Sequence, residues 1–461
     1  MSKKMYPYIP NSEPSVQAEM LKFIGVDSIE DLIADIPDEV RLKEPMDMPE
    51  PFNDEASLFR HVSSILNKNT TAEELRCFLG AGCYNRYVPA VVDEVINRSE
   101  FLTAYAGEPY EDHGRFQAMF EYQSMMAELL DFDVCNVPNY DGSHAANTSL
   151  RMATRITGRK EVLIPQNINP DTMKALTTYL QPDVKVTFVD YNSKTGRICL
   201  DSLKEKLTDN VAAVLVMNPN FFGVIEDKVQ QISEMAHAHG ALMVAAVEPS
   251  SLGLLTPPSH YGADIACGDL QPLGIHMNYG GGVAGFIATS DTPRIVEEYP
   301  SRLFGIAPTS EGEWGFGDVM WERTSFANRD SAKEFVGTHS ALWGLAAGVY
   351  LASMGPQGMK ELGEAVIQRQ AALKKALSTV KGIKLDRFSG VTYEEFVADF
   401  SESGKSVAEI NESLLAKGIL GGFDLGTEFP ELEGCMLICV TERTTADDIK
   451  ALKAALEEIL G

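Results

Sequence analysis

The chain has 461 residues, with 66 acidic side chains against 39 basic ones and a formal net charge of −27 at pH 7. A polyanion of this size has no positive field with which to displace counterions from a phosphate backbone, and anionic lipid surfaces repel it, so nucleic-acid and membrane-surface binding are excluded as general functions. At 44% hydrophobic and 23% charged residues the composition is that of a globular protein with room for one large core and a smaller one.

In chain order, the start MSKKMYPYIPNSEP lacks the apolar stretch of a secretory leader, and no window approaches about eighteen uninterrupted apolar residues. The expectation is a soluble, cytoplasmic protein. Residues 1–60 are rich in Pro, Glu and Asp, with short amphipathic pieces such as VQAEMLKFIG and SIEDLIADI. They read as an N-terminal arm with little core of its own. From 61 to 130 the apolar spacing is helical, clearest in FQAMFEYQSMMAELLDF, where Phe116, Met119, Phe120, Gln123 and Met126 share a face.

After Asp131 the pattern changes to short runs rich in Val and Ile, bounded by Gly, Pro and Asn: EVLIP, VKVTFVDY, VAAVLVMNPN, ALMVAAVEP, ADIACG and VAGFIAT. Such runs are strands buried on both faces, and their alternation with helices such as NPDTMKALTTYL implies a mostly parallel sheet. A large α/β domain is thus assigned to 61–335. Two long helices, around SALWGLAAGVYLASMG and GMKELGEAVIQRQAALKKAL, then lead into a small C-terminal α/β domain, the two making up 336–461. Seven cysteines, an odd number, read as buried thiols. The closest pair, Cys435 and Cys439, lies in the strand-like CMLICV, and no His/Cys group has zinc spacing, so no metal site is expected.

A large α/β domain followed by a small one suggests the type I fold of pyridoxal-phosphate enzymes, which needs a phosphate cradle, an acid for the pyridine nitrogen and a Schiff-base lysine. The cradle candidate is YDGSHAANTSLRMA, with Ser143 and His144 at a helix start. Its amides would suit an anion, while the alternative is an ordinary loop with a Ser or Asp cap. The acid candidate is Glu248, after the strand-like ALMVAAV; it could instead cap the turn Ser250–Leu252. The lysine is missing. From Val229 through Ala332 there is none, so no internal Schiff base can form at the usual place.

Five stretches carry a family resemblance over nearly the whole chain: FLGAGCYNRYVPAVVDEVINRSEFLTAY (78–105), NFFGVIED (220–227), EPSSLGLLTPP with YGADIACGD (248–269), KGILGGFDLG (417–426) and LICVTERTTADDI (437–449). On these motifs the chain resembles subunit 1, the alpha subunit, of the two-chain glycine dehydrogenase (decarboxylating), the P-protein of the glycine cleavage system. The resemblance implies an oxidoreductase subunit, inactive alone, in a cytoplasmic α2β2 heterotetramer. The beta subunit would hold pyridoxal phosphate on its lysine, glycine would be decarboxylated there, and the aminomethyl group would pass to a lipoyl carrier protein. It also places Pro272 where the lysine would stand, which leaves Ser143, His144 and Glu248 as a vestigial cradle and no catalytic residue in this chain.

Two segments depart from the family. After Tyr105 the family's Thr-Pro-Tyr-Gln-Pro-Glu pattern is replaced by Ala106-Gly107-Glu108-Pro109-Tyr110-Glu111-Asp112-His113-Gly114, and a second segment reads Lys333-Glu334-Phe335-Val336-Gly337-Thr338-His339. By resemblance both approach the substrate channel, with Tyr105, Glu108, Tyr110, His113, Thr338 and His339 as candidate channel residues. Two other readings stay open: a paralogous subunit acting on another amino acid, and a non-catalytic scaffold reusing the fold.

Overall fold

The computed structural model describes residues 6, 8–44, 46–102, 113–280, 284–300, 302–319, 333–334 and 340–461. The chain divides into two compact units, Met1–Asn69 and Thr70–Gly461. In the first, α1 (Pro14–Ile24), α2 (Ile29–Leu32) and α3 (Glu55–Leu66) are each locally capped. Glu13 accepts from the Val16 amide at 2.9 Å, Ser28 and Asp31 form a reciprocal capping box, and Asp54 accepts from the Ser57 amide at 2.7 Å. None of the three helices contains a buried residue, so local capping rather than a core defines them.

The second unit opens with β1 (Arg76–Cys77) in an extended stretch that runs to Pro89, before α4 (Ala90–Ile96), α5 (Ser99–Leu102) and α6 (His113–Leu130). The continuous helical spacing expected from residue 61 is therefore interrupted. Ala81 and Gly82 take φ of +62° and +105°, a conformation incompatible with a right-handed helix. The stripe on α6 is as expected: Phe116, Met119, Gln123 and Met126 are buried and Phe120 partly so.

The central sheet consists of β2 (Val134–Cys135), β3 (Glu161–Pro165), β4 (Lys185–Val189), β5 (Val211–Asn218), β6 (Leu242–Val247), β7 (Ile265–Asp269) and β8 (Gly285–Thr289), in the order β2-β8-β7-β6-β5-β3-β4. Strands β3 to β7 are parallel and β8 runs antiparallel to β7. Successive residues feed opposite cores: Leu163, Val214, Val216 and Met243 pack on one face, Val162, Ala213, Leu215 and Val244 on the other. This two-sided burial is why the strands read as unbroken apolar runs. Helices α7 (Gly142–Thr157), α8 (Pro170–Leu180), α9 (Leu200–Lys206), α10 (Val229–Ala238) and α11 (Pro293–Val296) belong to this layer, which is followed by an antiparallel hairpin of β9 (Phe304–Pro308) and β10 (Trp314–Asp318).

The long α12 (Ala341–Leu377) is broken at Gly355, with φ +60°, directly before Pro356, so the two helices read from the sequence are two arms of one element. Beyond it, β11 (Glu395–Asp399), β12 (Ile419–Leu420), β13 (Phe423–Asp424) and β14 (Cys435–Cys439) join α13 (Val407–Leu415) and α14 (Ala446–Leu460). An antiparallel sheet of order β11-β14-β13 packs on a core containing Leu373, Phe396, Ile410, Ile438 and Leu452. Phe78 joins that core from far upstream, because β1 pairs in parallel with β12 and the Cys439 amide donates to the Phe78 carbonyl at 2.9 Å. That pairing delivers residues 80–86 to the carboxyl ends of the large sheet.

Candidate functional site

A cavity of about 490 Å³ lies at the carboxyl ends of β5, β6 and β7, where open parallel sheets collect ligands. Its walls come from Gly80–Tyr84, the first turn of α7, Glu248, the Asp269–Pro272 corner and Glu395 of β11. Gln271 stitches two of these walls together. Its side-chain oxygen accepts from the Tyr84 amide and its nitrogen donates to the Tyr84 carbonyl, both at 3.0 Å.

Five carboxyl side chains line the cavity, Asp141, Asp171, Glu248, Asp269 and Glu395, and burial raises the last two. Glu395 accepts from the Ala81 amide at 2.7 Å and from the Tyr84 hydroxyl at 3.2 Å; burial, only partly offset by these donors, pushes its carboxyl up to about 7. Asp269 accepts from the Gln271 amide at 2.8 Å and from the Gly142 amide at 2.9 Å, and burial raises it to about 6. The Cys83 thiol in the same wall is pushed up to about 11 by burial, which leaves it protonated and poor as a nucleophile.

Glu248 is already engaged. Its oxygens accept from the Ser250 amide at 3.2 Å, the Ser250 hydroxyl at 2.8 Å and the Ser251 amide at 2.7 Å, so it caps the short turn that follows. It also faces Arg86, whose guanidinium is almost fully enclosed. Arg86 Nη2 lies 3.4 Å from Glu248, 2.6 Å from Ser250 Oγ and 2.7 Å from Glu394, while Nη1 lies 3.0 Å from Glu442. The Glu394 contact is ionic without hydrogen-bond alignment. Burial holds the Glu394 carboxyl well above the usual carboxylate range, and Arg86 pulls against that shift.

At the start of α7 the cap is Asp141, not Ser143: Asp141 accepts from the His144 amide at 2.7 Å. Ser143 is inside the helix, lines the cavity and pairs with the Thr172 hydroxyl at 2.8 Å. His144 is not among the cavity-lining residues. Its Nδ1 meets Asn139 Nδ2 at 3.0 Å, its ring packs 5.0 Å from that of Tyr140, and burial lowers its basicity, so it acts locally. Pro272 lines the cavity. Tyr105, Glu108, Tyr110, Thr338 and His339 lie outside the described residues, as does the side chain of His113, which begins α6. The second altered segment starts from a defined anchor: Arg155 pairs with Glu334 at 2.7 and 3.0 Å and with Glu298 at 2.5 Å, and Lys333 reaches Glu298 at 2.6 Å.

The site residues that sequence reasoning missed are Asp269, Glu395 and Arg86. Gly268, directly before Asp269, and the Glu394–Glu395 pair at the start of β11 were the available signals. Among the described residues no group of three or more His, Cys, Asp and Glu side chains could hold a metal ion, and no helix is long and apolar enough to cross a membrane.

The family described as Glycine cleavage system P-protein matches residues 6–456. A probable glycine dehydrogenase (decarboxylating) subunit 1 of Staphylothermus marinus is 38% identical, covering 99% of this chain and 98% of its own. The protein of the same description from Pyrococcus furiosus is 40% identical over 98% and 99%. The chain belongs to the glycine cleavage system P-protein family. A crystal structure of the P-protein glycine decarboxylase in inhibitor-bound form superposes with a TM-score of 0.86 at 34% identity, covering 99% of this chain and 100% of that one. A sphingosine-1-phosphate lyase of Burkholderia pseudomallei, with TM-score 0.64, 14% identity and coverage of 90% and 92%, shares the fold alone. The fold is the type I fold of pyridoxal-phosphate enzymes, as the sequence led us to expect.

The residues of this P-protein family member do not fit pyridoxal phosphate. Pro272 in the cavity wall offers no amine, Glu248 is consumed by Arg86 and its own turn, and the first amide of α7 already donates to a carboxylate. No Lys, Arg or His is among the described residues lining the cavity.

Proposed function

We propose that this chain is the lysine-lacking subunit 1 of a two-chain, cytoplasmic glycine dehydrogenase (decarboxylating). A sister subunit 2 holds pyridoxal phosphate on its own lysine, and the assembly is α2β2. In this reading glycine loses its carboxyl group at the sister's site and the aminomethyl group leaves on a lipoyl carrier. This chain contributes a second wall that orients reactants and excludes water. The observation that carries the reading is the cavity of a cofactor fold whose wall presents Pro272 and no basic side chain among the described residues. It is supported by relatives whose names, "subunit 1", imply a second subunit.

The test is reconstitution. The chain alone is expected to release no carbon dioxide from glycine and to retain no pyridoxal phosphate after borohydride reduction. Combined with a lysine-bearing homologue from the same genome, it is expected to co-elute and to exchange the glycine carboxyl with bicarbonate. A borohydride-fixed cofactor on the isolated chain would overturn the reading. Robust turnover of another small amino acid in place of glycine would favour the paralogue.

A further inference from the structure

The first turn of α7 faces a carboxylate that belongs to the protein itself. Three glycines make this possible. A Cβ on Gly142 would stand 2.9 Å from the Asp269 amide nitrogen, one on Gly268 2.3 Å from the Val247 carbonyl, and one on Gly285 2.1 Å from the Asp141 carbonyl. Without side chains there, the ends of β7 and β8 press against the helix start. Asp269 then reaches over it and accepts from the Gly142 amide at 2.9 Å. Asp141 takes the His144 amide of the same turn. Free amides and the positive end of the helix dipole are what a phosphate would use, and here the negative charge is supplied from inside.

We infer that Asp269 is an internal anion that occupies the phosphate position of the cradle and thereby bars phosphorylated cofactors from this subunit. The inference rests on the reading above, in which the sister subunit carries the cofactor, and it explains something the missing lysine does not. Loss of the lysine removes only the covalent bond. An open helix N-terminus in a cavity of about 490 Å³ would still attract a phosphate ester reversibly. With Asp269 in place, an incoming phosphate meets two carboxylates, Asp141 and Asp269, and no cation among the described lining residues compensates them. Asp269 titrates near 6, so at neutral pH it is mostly ionised. The carboxylate therefore acts as a specificity-determining group: it sorts the cofactor between two similar chains.

The experiment compares the full-length chain with Asp269→Ser and Asp269→Asn, using inorganic phosphate, pyridoxal 5′-phosphate and unphosphorylated pyridoxal as probes in equilibrium dialysis and thermal-shift titration at pH 7.5. The wild-type chain is expected to show no saturable uptake of the two phosphate-bearing probes. Each variant should bind both at least about tenfold more tightly than wild type because each removes one repulsion, and Asp269→Ser should gain more because Asn can still accept from the Gly142 amide. Pyridoxal should gain nothing. Asp171→Asn, which neutralises a solvent-exposed carboxylate of the cavity rim on α8, should leave phosphate binding unchanged and so separates occupancy of the cradle from general charge relief. Should Asp269→Ser fail to fold by circular dichroism, the near-isosteric Asp269→Asn decides. The proposal is overturned if wild type binds phosphate as tightly as the folded variants, or if no folded variant gains binding. A cofactor fixed covalently to the wild-type chain would instead sink the lysine-lacking reading, so the two failures are distinguishable.

Discussion

At Arg86, three carboxylates from distant parts of the second unit converge on one buried guanidinium; at Asp269, a single half-buried carboxylate is held by two backbone amides. Both sites adjoin the same cavity, yet they handle buried charge by different means. The Arg86 node is a structural junction. It ties the extended stretch after β1 to the turn after β6, to Glu394 beside β11 and to Glu442 beyond β14, so the large and small sheets share one cation. The Asp269 site joins only one strand end to one helix start, and what it controls is the charge a visitor meets. Removing a counterion and removing an amide-held anion should therefore have very different consequences.

The largest expected effect is at the junction. Arg86→Met would leave Glu248, Glu394 and Glu442 facing one another without a cation. Stranding buried charges in this way typically costs about 3–5 kcal/mol. Urea denaturation of the variant at pH 8 should show a loss of that order. The loss should shrink at pH 5, because protonating the stranded carboxyls relieves the repulsion. A loss under about 1 kcal/mol at pH 8 would mean that the node is not a junction but a solvated cluster.

Next in size is a pH effect at the cavity wall. Burial raises the folded-state pKa of Glu395 to about 7, so between about pH 4.5 and 7 the folded chain keeps a proton that the unfolded chain has released. Stability from this group is highest below that window and declines as pH rises through it, by up to about 3 kcal/mol for a shift of this size. Glu395→Gln can keep the acceptor for the Ala81 amide and a polar partner for the Tyr84 hydroxyl while removing the titration. The decline of unfolding free energy from pH 5 to pH 8 should be smaller in the variant than in wild type. Equal slopes would place the buried proton elsewhere, Asp269 and Glu226 being the other carboxyls that burial lifts into this range.

The two sites also differ in how visible they were. Strands β3 to β8 could be read because parallel strands buried on both faces leave unbroken apolar runs, and the missing lysine could be read because absence of a residue type is itself a sequence fact. Glu248 was placed correctly at a strand end, but the sequence could not decide between cofactor partner and cap. The answer depends on Arg86, which lies 162 positions away. Asp269 was invisible for the same reason: its partner Gly142 is 127 positions upstream. The extended course of 76–89 was missed because its partner strand, β12, comes from the far end of the chain. Local periodicity reports which face of an element is buried, whereas these sites are made by pairings that only tertiary structure brings together.

The smallest effect sharpens the comparison within a single helix turn. Asp141 and Asp269 both present carboxylates to the start of α7, one as a local cap on the His144 amide and one across the fold on the Gly142 amide. Asp141→Ala removes the cap and should cost about 1 kcal/mol, the usual price of a lost N-cap. It should also change its neighbour. Asp141 adds to the upward shift of Asp269, although burial is the main cause and the two amides oppose it. In Asp141→Ala the Asp269 carboxyl should accordingly titrate below its wild-type value of about 6, and its share of the stability decline should end at lower pH and be smaller. Carboxyl-selective NMR titration of the two chains would read this directly. A lower pKa with a modest stability loss would show that two anions compete for one helix end, and an unchanged pKa would show that Asp269 is governed by its amides and its burial alone.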